Sequence, residues 1–244
     1  MALLLRSALT LKRWIAGAFT GVREYRCNLC GYRGAFGTVR PETGSRKHAV
    51  CPGCGSAERH RLQWFAVEPL LVGTPRLLHF APEPGMARLL RARTRYVSAD
   101  LSGVGVDQRI DITSMPLPAG SFDVVFASHV LEHVKDDAAA LREVRRVLAP
   151  GGFAVLPVPV IGERTVEYEA PNPHEALHVR CPGVDYFDRY REVFERVDLV
   201  TSEAAPREIQ PYVYEQRMSW PSSMSRRPLV PGDRHLDYVP ICYA

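Results

Sequence analysis

With 244 residues, 46% of them hydrophobic and 24% charged, the chain has material for one sizeable core and a small appendage. Its formal charge of +4 is too slight to demand a nucleic-acid backbone as partner, and no block of lysines and arginines marks a binding tail. No apolar run approaches the roughly 18–20 residues that a membrane-crossing helix needs, which excludes a helical transmembrane protein.

Met1 to Gly21 combines Leu3, Leu4, Leu5, Leu9, Leu11, Trp14, Ile15 and Phe19 with Arg6, Lys12 and Arg13 and contains no acid. The basic residues interrupt the apolar stretch that a secretory signal requires, so a cytoplasmic location is expected. The pattern predicts a helix packed by its apolar face on its own domain; a membrane-surface helix or an organelle-targeting peptide is the alternative.

Cys27-Asn28-Leu29-Cys30 and Cys51-Pro52-Gly53-Cys54 are two Cys-x-x-Cys pairs separated by twenty residues. Gly31 and Gly55 follow them and let each turn tighten until both sulfurs face one point. Four thiolates so placed predict a closed, structural zinc site with no open position for water or substrate. Two disulfides, or a redox pair, fit the spacing and context less well. Tyr32, Arg33, Phe36, Arg40, Arg46, Lys47 and His48 lie between the pairs and are expected to form the solvated face and small core of a ribbon. Ser56 to Leu71 then has helical spacing, with Leu62, Phe65, Ala66 and Leu70 inward and Glu58, Arg59 and Arg61 outward. No Gly or Ser linker separates ribbon from helix, which predicts a ribbon packed on its neighbour. The expected division is a helix over 1–21, a zinc ribbon over 22–56 and an α/β domain over 57–244.

Apolar runs Leu77–Phe80, Tyr96–Ala99 and Phe122–Phe126 alternate with helical segments, indicating βαβ units and a doubly wound parallel sheet. Ligands of such sheets sit beyond the carboxyl ends of the strands, where Glu83, Asp100 and Asp111 fall. Asp100, ending the second run, is placed to accept hydrogen bonds from a ribose diol.

Ser121-Phe122-Asp123-Val124-Val125-Phe126-Ala127-Ser128-His129-Val130-Leu131-Glu132-His133 and Arg146-Val147-Leu148-Ala149-Pro150-Gly151-Gly152 resemble the class I S-adenosylmethionine (SAM) dependent methyltransferases, in particular the type 11 group. The resemblance covers roughly Arg76 to Val160. It implies a Rossmann-like sheet ending in an antiparallel strand, here Leu236 to Tyr243, with Asp111 on the adenine amino group and the backbone of Ile112 on the ring edge. It also implies Ser128 and His129 in the cofactor pocket, and Ala81, Glu83 and Gly85 along the methionine end. The first turn departs from the family: an acid and alternate glycines are expected where His79, Ala81, Glu83 and Gly85 stand, and only the last glycine remains. Glu83 has two readings, an acid near the positive end of SAM or a cap for the helix beginning near Pro84.

Beyond Gly152, Ile161 to Cys181 has no clear periodicity but is rich in polar groups, among them Tyr168, Glu169, His174, His178 and Arg180. At the ligand-facing end of a sheet, such a segment suits acceptor recognition. His174 and His178 are the candidate proton acceptors, imidazole being the side chain that titrates nearest neutrality. The function implied is methyl transfer from SAM to a hydroxyl or amine of a small molecule, a sugar or specialised metabolite. RNA methylation is less favoured, for want of charge and of an Asn-Pro-Pro-Tyr motif; a SAM-binding protein that transfers no methyl is the third reading.

Overall fold

The computed structural model describes residues 24–39, 44–160, 162–217, 229–230 and 234–244. The helix expected over 1–21 lies outside these residues.

The two cysteine pairs sit on short hairpin elements: β1 (Tyr25–Arg26), β2 (Arg33–Gly34), β3 (Gly37–Val39) and β4 (Gly44–Val50). Helix α1 (Glu58–Val67) follows, and a 3-10 turn, Glu68–Leu70, completes the helical stretch read from the sequence. Then come β5 (Arg76–Phe80), α2 (Pro84–Arg91), β6 (Arg95–Asp100), β7 (Gln108–Arg109), β8 (Phe122–Ala127), α3 (Asp137–Val147) and β9 (Leu148–Val155). Asp136 caps α3, its carboxylate accepting from Ala139 N at 2.9 Å. Midway along β9 a side chain at Gly152 would lie 2.8 Å from Asp123 O and 2.9 Å from Ala149 O, so only glycine admits the backbone there.

The segment 162–181, without periodicity in the sequence, contains a hairpin of β10 (Val166–Asn172) and β11 (His178–Cys181). It is followed by α4 (Tyr186–Arg191), β12 (Arg196–Thr201), β13 (Tyr214–Arg217), β14 (Leu229–Val230), β15 (Arg234–His235) and β16 (Tyr238–Tyr243).

Seven strands form one sheet in the order β12-β16-β9-β8-β5-β6-β7. From β9 to β7 every pairing is parallel, while β16 runs antiparallel to both β9 and β12, as expected for the returning strand. Alternate residues serve opposite faces. Leu78, Phe80, Val125 and Ala127 pack on one face with Leu141 and Val144 of α3 and Tyr186 and Tyr190 of α4. Leu77, Val124, Phe126 and Val155 pack on the other with Leu62 and Trp64 of α1, Met86 and Leu90 of α2, and Tyr25, Leu29 and Phe36 of the ribbon. Ribbon and sheet thus share one core.

Two charged residues read as outward are buried. Arg61 donates to the carbonyls of Ala49, Ser56, Ile209 and Gln210 at 2.7–3.0 Å, and its guanidinium lies 4.4 Å over the Phe36 ring. Glu58 is paired with Arg46 at 2.8 Å. The helix is enclosed by ribbon and sheet together, so hydrogen bonding rather than solvent satisfies its charges. The ribbon also borrows a strand from far along the chain: β13 pairs antiparallel with β4, Tyr214 opposite Lys47 and Glu215 opposite Arg46.

Candidate active site and metal centre

Each cysteine pair forms a tight knuckle. Gly31 N donates to Cys27 O and Gly55 N to Cys51 O, both at 2.8 Å, with the two glycines at φ +76° and +74°. The knuckles face one another, Cys27 Sγ lying 3.7 Å from Cys54 Sγ and Cys30 Sγ 3.6 Å from Cys51 Sγ, and all four are free thiols whose sulfurs lie within 4.8 Å of one another. Tetrahedral zinc with bonds of about 2.3 Å sets sulfurs roughly 3.8 Å apart, so this donor set fits zinc in both chemistry and spacing.

At the carboxyl end of β5 the chain turns through Ala81, which takes φ +47° and donates its N–H to Ala99 O at 2.9 Å. His79, where the family has an acid, is buried; burial pushes its pKa down to about 4, and its Nδ1 lies 2.9 Å from Tyr96 Oη. Glu83 occupies the N-cap position of α2, but its side chain makes no cap bond. Instead Arg59 Nη2 and His60 Nε2 of α1 meet its Oε1 at 2.8 and 2.7 Å. Burial alone would raise the carboxyl pKa; the interactions with His60 and Arg59 outweigh it and hold it at about 2. Oε2 remains buried without a hydrogen-bond donor among the described residues. A side chain at Gly85 would face Leu29 of the ribbon, at 3.9 Å.

Asp100, ending β6, accepts from Ser102 N at 2.7 Å and from the Ser102 hydroxyl on Oδ1 alone. Asp111 is exposed and accepts from Thr113 N at 2.9 Å and Thr113 Oγ1 at 2.7 Å, bonds that lower its pKa. Ile112 beside it is buried. Ile110 N donates to Asp100 O at 3.2 Å, which keeps the two acidic turns adjacent. After β8, buried Ser128 lies 2.9 Å from Gln63 Nε2 of α1, and His129 takes φ +55°. Each carboxylate is oriented by its own turn and keeps a second oxygen for a ligand. These groups fit the ribose and adenine ends of SAM.

Next to His129, the 3-10 turn Leu131–His133 carries Glu132, which is wholly buried. His129 Nδ1 lies 3.2 Å and His178 Nε2 4.0 Å from Glu132 Oε1, and the His133 and His178 rings meet edge to face at 4.7 Å. Burial pushes the His178 pKa down to about 4 against the attraction of Glu132, leaving the ring neutral near pH 7. Strand β11 positions this group. His178 and Arg180 share one of its faces, and Arg180 donates to the carbonyls of Leu131, Val134 and Lys135 at 2.6–3.0 Å, pinning the turn that holds Glu132. His174 lies apart, exposed, its backbone N–H bonded to Asn172 Oδ1 at 3.0 Å.

Residues 52–156, spanning α1 through β9, match the family described as Methyltransferase domain. The match covers 105 of the 244 residues, less than half of the chain, and over that stretch the chain is similar to a methyltransferase domain. A 37.1 kDa uncharacterized protein in transposon TN4556 of Streptomyces fradiae is 34% identical over 116 residues, 48% of this chain and 31% of that protein. The 27-O-demethylrifamycin SV methyltransferase of Amycolatopsis mediterranei is 39% identical over 66 residues, 27% of this chain and 24% of that protein. The chain therefore spans less than a third of the length of either relative. The crystal structure of a SAM-dependent methyltransferase from Mesorhizobium loti aligns over 74% of this chain and 97% of that one, at 17% identity and a TM-score of 0.48.

Around this site, sequence reasoning passed over Glu132, Gln63 and the pinning role of Arg180. A signal for the first was present: His129, Glu132 and His133 stand at i, i+3 and i+4, a spacing that gathers side chains on one side of a helical turn.

Proposed function

We propose that this chain transfers a methyl group from SAM to a hydroxyl or amine of a small-molecule acceptor, such as a sugar or specialised metabolite. The observation that carries the reading is the alignment of Asp100, Asp111 and Ser128 at the carboxyl ends of the parallel strands β6, β7 and β8. SAM, when bound, supplies an electrophilic methyl on a sulfonium. Asp100 would accept from the ribose diol, Asp111 from the adenine amino group, and the backbone of Ile112 would meet the ring edge. Ala81 and Gly85 would line the methionine end, where Glu83 Oε2 offers an acceptor to an ammonium group. Ser128 and His129 would close the pocket. His178, neutral and beside Glu132, is the better placed of the two candidate proton acceptors; His174 would act from the rim. Cys27, Cys30, Cys51 and Cys54 would hold a structural zinc ion.

A small-molecule acceptor is supported by the modest charge and by one relative whose name specifies a rifamycin substrate. Among the described residues no helix is long and apolar enough to cross a membrane, compatible with the cytoplasmic location expected from the sequence. The test is incubation with methyl-labelled SAM and separate pools of small-molecule extract, RNA and protein, together with calorimetry of SAM binding. Label should enter the small-molecule pool, and Asp100→Ala should weaken SAM binding about tenfold or more, the worth of charge-assisted hydrogen bonds of about 1.5–3 kcal/mol. Label chiefly in RNA would replace the acceptor assignment, and unchanged SAM affinity in the variant would refute the role of Asp100.

A further inference from the structure

Glu132 is a buried acid beside His129. Its carboxylate is fully buried, and neither oxygen accepts a hydrogen bond among the described residues. An uncompensated buried carboxylate is costly, so such groups are paired or bind a metal. Around it stand imidazoles that approach without bonding: His129 Nδ1 at 3.2 Å and His178 Nε2 at 4.0 Å from the same oxygen. A ligand atom from each of Glu132, His133 and His178 falls within 4.8 Å of the others. First-row metal bonds of about 2.0–2.2 Å put neighbouring ligand atoms a little over 3 Å apart, so the three groups would draw together by about 1–2 Å to close the set. The turn that carries Glu132 is fixed by Arg180 through the carbonyls of Leu131, Val134 and Lys135.

We propose that Glu132, His133 and His178 form a second metal centre, for a divalent transition-metal ion, separate from the four-cysteine cluster, with His129 at its edge. Two imidazoles and one carboxylate are a mixed donor set that suits first-row ions and leaves coordination positions open. His133 is solvent-exposed, which gives the ion a route in and turns the open positions toward the cleft. The inference rests on the methyltransferase reading for one consequence and revises it at one residue: with an ion on His178, whose ring lone pair is then spent, His174 is the remaining candidate proton acceptor. An ion at the end of β8 would select acceptors that offer oxygen ligands, such as vicinal diols or hydroxy acids, over simple amines.

The test titrates Mn²⁺ into the zinc-loaded full-length protein, without SAM or acceptor, and follows loss of the free-ion paramagnetic resonance signal. Mn²⁺ prefers oxygen and nitrogen donors and so does not report on the thiolates. Wild type should bind one Mn²⁺ per chain, and His178→Ala, Glu132→Gln and His133→Ala should each weaken binding at least tenfold. Because His133 is exposed, its variant keeps the fold even where the buried Glu132→Gln does not. No binding by wild type, or equal binding by wild type and His133→Ala, would overturn the proposal. SAM affinity measured separately distinguishes the two ideas: Mn²⁺ binding without SAM binding would sink the methyltransferase reading and keep the metal site, and the reverse would sink only the site.

Discussion

Glu83 brings a carboxylate into a turn that departs from the family pattern, and its surroundings hold it there. The turn has lost the acid expected at His79, yet Glu83 carries a carboxylate into the same turn, held by Arg59 and His60. Its pKa lies near 2 in the fold against 4.5 ordinarily, so it binds fewer protons folded than unfolded at intermediate pH. The stabilisation is therefore fully present above about pH 4.5 and is lost as pH falls toward 2. Glu83→Gln should be less stable than wild type at pH 7, with more than half of the difference gone by about pH 3, as read from urea unfolding midpoints. A difference that stays constant over that range would show that the carboxylate is not held as an anion.

At the level of elements, legibility followed exposure. The strands β5, β6 and β8, the helical segments among them and the returning β16 were all readable, because buried parallel strands are continuous apolar runs and their helices have one apolar stripe. Strand β10 was not, since most of its residues are exposed and no alternation is imposed on them. Nor were the buried charges of α1, because hydrophobic periodicity treats Glu58 and Arg61 as solvent-facing wherever they stand. The acidic turns and cysteine pairs of the candidate site were legible from position alone. The grouping of Glu132 with His178 depends on the β10–β11 hairpin folding back over the cleft, which no local pattern announced. Arg180 anchors that hairpin. Arg180→Met would leave three carbonyls without their donor and remove a partner from Asp137 and Glu167, although Arg189 still reaches both. A loss of about 3–5 kcal/mol is expected in chemical denaturation, as for breaking a buried ion pair. An unchanged midpoint would mean that the turn does not depend on the hairpin.

Across the whole molecule, the shared core makes ribbon and sheet one cooperative body. Leu29 and Phe36 of the ribbon belong to the cluster that also holds Val124 and Phe126 of the central strand. Removing zinc with a chelator, or replacing Cys51 with serine, should therefore lower the melting temperature of the entire chain in a single transition. Two separate transitions, with the sheet melting unchanged, would contradict that coupling. The pairing of β13 with β4 adds a temporal side to this arrangement. On a ribosome adding about 5–20 residues per second, the second cysteine knuckle emerges roughly ten to thirty seconds before the strand that completes its sheet. During that interval the four thiols precede both their covering strand and the carbonyls of Ile209 and Gln210 that hold Arg61. Early capture of the ion would protect the nascent sulfurs from oxidation, which makes the order of metal loading and chain completion a determinant of yield.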